Sequence, residues 1–175
     1  MDRPFSHEDN WWFFFGYGDG WPGDKCSACI AAVEVEKKAN RHCINCWKLE
    51  LFFSNCRDLP RVKEILMAEA RRDRSIHGKW LREPVRLSPE LRAKITSIPE
   101  TGWPGPAEPE EGVILIYTQS IAERDEKSKR IRYLLDQDDL YARPDISARR
   151  GCLNFDEVIG PWKNWWPLDR DFAKE

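Results

Sequence analysis

Little in this sequence points to a membrane or to export. The aromatic run Trp11-Trp12-Phe13-Phe14-Phe15 is five residues long, against about 20 apolar residues for a spanning helix. The start, Met1-Asp2-Arg3-Pro4, lacks the basic stretch of a secretory signal. Six cysteines without such a signal are expected in a reducing compartment, as metal ligands or free thiols rather than disulfides. A cytoplasmic chain is the expectation. Internal repeats and long low-complexity segments are absent, which excludes solenoid and fibrous architectures. Catalytic signatures are sparse: there is no H-E-x-x-H and no G-x-S-x-G, and His7-Glu8-Asp9 and His77 stand alone. Gly16-Tyr17-Gly18-Asp19-Gly20 lacks the Lys-Ser/Thr ending of a phosphate-binding loop.

What is present suits a folded chain. Nine Trp and eight Phe among 175 residues supply large apolar area, enough for one medium domain or two small ones. The net charge of −2 hides a local imbalance. Arg57 to Lys94 holds eleven Lys or Arg against six Asp or Glu, an excess of five positive charges, so the remainder carries −7. Such a stretch is either an electrostatic footprint for nucleic acid or a solvated helix and loop.

The strongest chemical signal is two cysteine pairs, Cys26-Ser-Ala-Cys29 and Cys43-Ile-Asn-Cys46, separated by thirteen residues. Two residues between the cysteines of a pair let both sulfurs face one ion. The intervening stretch can bring the second pair back over the first, closing a tetrahedron of thiolates around Zn²⁺. The arrangement resembles the zinc-ribbon and treble-clef class of small zinc domains over about residues 24–55. The resemblance implies that Cys26, Cys29, Cys43 and Cys46 are structural zinc ligands. Many zinc ribbons place Gly just after a pair, and rubredoxins, which hold iron in the same kind of set, do so more regularly. Ile30 and Trp47 follow here, a departure from that pattern. His42 is a replacement ligand, a hydrogen-bond donor to a sulfur, or a surface residue. Cys56 and Cys152 are reserve thiols. Arg149 and Arg150 would favour the Cys152 thiolate if it were exposed; otherwise it is a small buried residue. An iron–sulfur cluster would need one or both of them beside a pair.

Secondary structure follows from periodicity and punctuation. The glycines of residues 1–25 predict turns rather than a helix, with the aromatic run as core or docking surface. Ile30–Glu36 and Trp47–Phe53 alternate as strands. Asp58 and Pro60 open a helix over 59–73, with Arg71, Arg72 and Arg74 at its end. Lys79–Leu87 reads as a strand that Pro84 demotes to an edge. Pro89–Lys94 reads as one or two helical turns. Residues 100–112 form a Pro/Gly/Glu linker or loop. Val113–Tyr117 reads as a buried strand, and Ser120–Leu135 as a helix with Ile121, Ile131, Leu134 and Leu135 inward. This strand-then-helix resembles the opening of a thioredoxin-like unit, but Thr118-Gln119-Ser120-Ile121 stands where a redox cysteine pair belongs. Asp136, Asp138 and Asp139 lack the Gly and Glu of a calcium loop and read as a solvated helix end.

The expected fold is α+β: a zinc-stapled β unit with a basic helix in 1–99, the linker, and a smaller β-α unit with a Trp-rich tail in 113–175. The expected function is a non-enzymatic zinc-stabilised binding or adaptor protein, a subunit docking on a larger assembly with nucleic acid as one candidate component. Arg61, Lys63, Arg71, Arg72, Arg74, Lys79 and Arg82 would make the contact, with Trp80 stacking on a base. Against a dedicated nucleic-acid binder stands a sequence pI near 6.0. The alternatives are a redox or iron–sulfur protein using the same cysteines, and a small hydrolase or nuclease.

Overall fold

The computed structural model describes residues 6–8, 12–16, 33, 35, 37, 46–53, 56–82, 112–151 and 160–161. These residues form an α+β fold. Its strands are β1 (Ser6–Glu8), β2 (Trp12–Gly16), β3 (Trp47–Phe53), β4 (His77–Leu81), β5 (Gly112–Thr118) and β6 (Asp145–Arg150). A 3-10 turn, Cys56–Asp58, leads into helix α1 (Leu59–Arg72), and helix α2 (Ile121–Asp136) follows β5. The strands make one sheet in the order β1-β2-β4-β5-β3-β6, antiparallel at every pairing. Strands from both sides of the Pro/Gly segment 100–111 are therefore interleaved in one sheet, with β5 seated between β4 and β3. The segment itself lies outside the described residues.

Side-chain alternation gives each strand two faces. On one face Leu49 lies opposite Ile116 and Leu51 opposite Ile114, and these continue across the sheet to Trp80 and Phe13. Both helices cover this face. Leu59, Val62, Leu66 and Ala70 of α1 and Ile131 and Leu135 of α2 join Phe15, Leu49, Leu51, Phe53, Ile114 and Ile116 in one apolar core. Their helical spacing of three and four is what places them there. Gly78 is required on this face, because a Cβ there would run into the Leu115 carbonyl oxygen and crowd Ile116.

Several expectations hold. β3 matches Trp47–Phe53, α1 runs from Leu59 to Arg72, β5 contains Val113–Tyr117, and Ser120 caps α2 by accepting the Glu123 N–H at 3.1 Å. Others are corrected. Val33 and Val35 are helical, not extended, and the Lys37 N–H donates to the Val33 carbonyl at 2.9 Å. Side chains two apart differ by about 200° on a helix and about 180° on a strand. Buried Val33 beside Val35, 82% exposed, thus fits either period. β4 is interior rather than an edge, since its ladder ends at Leu81, short of Pro84. Ile121 is 45% exposed rather than inward, because it occupies the first turn of α2, ahead of the buried Lys127, Ile131 and Leu135. The run Trp12–Gly16 is strand β2, with Phe14 and Phe15 buried. The helical turns predicted over residues 89–94 lie outside the described residues, as does the Trp-rich tail apart from Gly160 and Pro161.

Candidate functional site

Of the four predicted zinc ligands, Cys46 is among the described residues; Cys26, Cys29 and Cys43 are outside them, as is His42. Cys46 is half-buried and immediately precedes β3, a strand flanked by β5 and β6. Its carbonyl accepts the Gly151 N–H at 2.7 Å, which extends the β3–β6 ladder by one step. Gly151 takes a φ of 70°, a left-handed conformation suited to glycine, directly before Cys152. Among the described residues no group of three His, Cys, Asp or Glu could hold a metal.

Cys56 stands at the other end of β3. The seven strand residues between span about 23 Å at 3.3 Å each. Thiolates sharing one zinc lie within a few ångström of each other, each about 2.3 Å from the ion. Cys56 therefore cannot join a centre with Cys46. It packs instead at the sheet's far end, against the position where a Gly112 Cβ would stand.

The sheet face turned away from α1 and α2 is also buried and mixes charged with apolar side chains, Phe14, Phe52 and Val113 among the latter. Lys48 and Glu50 of β3 lie on it with Tyr117 of β5 and Arg149 of β6, all four largely withdrawn from solvent. The register pairs Lys48 with Arg149 on one side and Tyr117 on the other. The Lys48 ammonium sits 5.5 Å from the centre of the Tyr117 ring. His77 stacks on the same tyrosine at 6.0 Å, and its Nδ1 lies 3.0 Å from the Ser75 carbonyl. The Ser147 hydroxyl donates to Glu50 Oε2 at 3.5 Å. Alternation of Lys48 and Glu50 with Leu49 and Leu51 was visible in the sequence. What the sequence concealed is that Arg149 comes to lie beside Lys48, since that depends on the β6 pairing.

The predicted basic residues do not form one surface. Arg61 is engaged within the fold, donating to Asp138 at 2.6 Å and Glu64 at 3.0 Å. Lys63 lies 5.3 Å from the Trp80 ring, and burial pulls its pKa down against a smaller opposing effect of Cys56. Trp80 is a buried core residue, stacked on Phe13 at 4.7 Å and on Phe15 at 4.8 Å, so its ring is not open to a base. Lys79 projects to the opposite sheet face, with its ammonium 3.8 Å from the Trp12 ring centre. Arg71, Arg72 and Arg74 are exposed together at the C-terminal end of α1, with exposed Arg82 beyond β4. Trp47 is buried between the guanidinium groups of Arg124 and Arg150, at 4.6 and 5.2 Å.

Ion pairs lock the helices over the core. Arg130 of α2 donates to buried Glu69 of α1 at 2.7 Å. Buried Lys127 donates to the carbonyls of Ser75 and Tyr117 and pairs with Glu123 at 2.6 Å. Burial alone would raise the Glu123 pKa, but the Lys127 and Gln119 N–H hydrogen bonds outweigh it and hold the carboxyl below its ordinary value. Asp138 pairs with Arg61 and Asp136 with Arg143, as expected of a solvated helix end. No described helix is long and apolar enough to cross a membrane. Comparison of the chain with protein-family models, curated proteins and solved structures finds no match.

Proposed function

We propose that this chain is a non-enzymatic, zinc-stapled binding protein of the cytoplasm, a subunit that docks on a larger assembly. Cys26, Cys29, Cys43 and Cys46 hold one Zn²⁺. Four thiolates suit this borderline-soft ion, which imposes no geometry of its own and closes a structural tetrahedron. The observation that carries the reading is the place of Cys46. It is anchored by the Gly151 hydrogen bond at the head of β3. A metal bond there ties the segment 26–46 to a strand paired on both sides. The stapling is a folding contribution, because ligands scattered in the unfolded chain are brought together only on folding.

The docking surface is the exposed cluster Arg71, Arg72 and Arg74 at the end of α1. Its positive charge fits an acidic protein or a phosphate backbone. Phosphate contacts release counterions, so affinity for a nucleic acid falls steeply with salt, whereas an apolar protein interface does not respond in this way. The test is binding of a single-stranded oligonucleotide at two salt concentrations, with wild type and the triple variant R71A/R72A/R74A. Loss of binding in the triple variant and at high salt supports nucleic acid as the partner. No binding at low salt assigns the surface to an acidic protein. The stapling is tested by Cys46→Ser, which should abolish zinc binding and unfold the N-terminal segment; a variant that keeps its fold contradicts it.

A further inference from the structure

A thiol and an amine come together at the far end of the sheet. Cys56, in the 3-10 turn before α1, is a half-buried thiol rather than part of a disulfide. Lys63, also half-buried, lies two helical turns further on, about 10 Å along the axis. Helical side chains tilt toward the N-terminus, so the four-carbon stem of Lys63 runs back toward Cys56. The sheet beneath brings the same two places together. Trp80, whose ring centre is 5.3 Å from the Lys63 ammonium, is the register partner of Ile114. Gly112 is the next residue on that face of β5, about 7 Å along. Cys56 Sγ lies 3.3 Å from where a Gly112 Cβ would stand, so the missing side chain leaves room beside the sulfur. The two groups also act on each other: burial lowers the Lys63 pKa, and the Cys56 thiolate works against that.

We propose that Cys56 and Lys63 form a self-acylation site, in which Cys56 takes a short acyl group from a small-molecule thioester and passes it to the Lys63 amine. In the first step the Cys56 thiolate adds to the thioester carbonyl carbon and the carrier thiolate leaves, so one C–S bond replaces another. The carrier thiolate takes up a proton, and the Lys63 ammonium gives one up. In the second step the neutral Lys63 amine adds to the same carbon. The C–S bond to Cys56 breaks, and the surplus proton on nitrogen passes to the departing sulfur. The sum is an amide on Lys63 and a carrier thiol, with nothing oxidised or reduced. The order of the steps is built into the pair. The Lys63 ammonium favours the thiolate that attacks first. Acylation then removes the negative charge that opposes burial, so Lys63 gives up its proton more readily once the acyl group is in place. Thioester and amine are by then held in one site, which makes the transfer intramolecular.

The test is incubation of the full chain at one fixed pH with S-acetyl-N-acetylcysteamine, a small acetyl thioester, followed by peptide mass mapping. Acetylation of Lys63 should run at least about tenfold faster than that of Lys129, an exposed lysine of α2 that reports direct reaction with the reagent. Cys56→Ser should bring Lys63 down to the Lys129 rate. Lys63→Arg keeps a positive charge near the sulfur and should instead gather acetyl on Cys56, as a thioester that hydroxylamine removes. That variant tests the first step without relying on the fold of Cys56→Ser. Lys63 acetylated no faster than Lys129 overturns the site. Equal Lys63 rates in wild type and Cys56→Ser overturn the relay through sulfur, as does Lys63→Arg that gathers no thioester on Cys56.

Discussion

On the helix-covered side of the sheet, Leu49, Leu51, Ile114 and Ile116 meet Val62, Leu66 and Ile131. On the reverse side of the same strands the charged Lys48, Glu50 and Arg149 stand among Tyr117, Phe52 and Val113, also buried. The two faces share backbone, register and burial, and differ in chemistry. An apolar side chain removed from water contributes about 1.5–3 kcal/mol. A charge removed from water costs several kcal/mol unless partners compensate it. The first face therefore accounts for stability. The second carries charges whose burial their partners must offset.

That contrast is open to direct attack. The largest effect is expected at the centre of the apolar face. Leu51→Ala should cost about 2–5 kcal/mol in urea-induced unfolding. Lys48→Met, on the other face of the same strand, should cost less, because an apolar replacement of similar length leaves no cavity and removes a buried charge. Equal losses from the two would erase the distinction between the faces. Arg130→Ala should destabilise the fold by less than Leu51→Ala, since it removes the partner of the buried Glu69 side chain, whose Oε2 has no hydrogen bond among the described residues.

Acid should loosen the helix layer next. Hydrogen bonds from Ser75 hold Asp73 below its ordinary value of 3.8, and the Arg61 hydrogen bond does the same for Asp138. Glu123 is held below its ordinary 4.5, its burial being outweighed by Lys127 and the Gln119 N–H. A carboxyl with a depressed folded-state pKa contributes fully above its unfolded value and loses that contribution as pH falls through the folded one. Stability measured by thermal unfolding should be steady above about pH 4.5 on account of these groups and decline below it. Smallest of all, Ile121→Ser should change stability by less than about 0.5 kcal/mol, as expected at an exposed helix start. A larger loss would mean that Ile121 packs against something.

The helices were legible because their cores and caps are local. Val62, Ile65 and Leu66 fall at helical spacing, and Ser120 and Glu123 form the start of α2 within four residues. β3 and β5 were legible because alternation or a continuous apolar run marks them. β6 was not, since on the core face Asp145-Ile146-Ser147-Ala148-Arg149-Arg150 has Ile146 and Ala148 followed by a charged Arg150. β2 was obscured by aromatics on successive positions, which have no period. The helix at Val33 and Val35 was misread because two positions cannot separate the two periods. The cysteine pairs were evident at once, but the neighbourhood of Cys46 was not. It comes from Gly151, about one hundred residues away along the chain, brought to the Cys46 carbonyl by pairing that no local pattern encodes.

Zinc held by the four thiolates is tested most directly by elemental analysis of anaerobically purified protein together with its visible spectrum. About one zinc per chain and a colourless solution is the expected result. Protein free of metal, or iron with visible absorption, would contradict it.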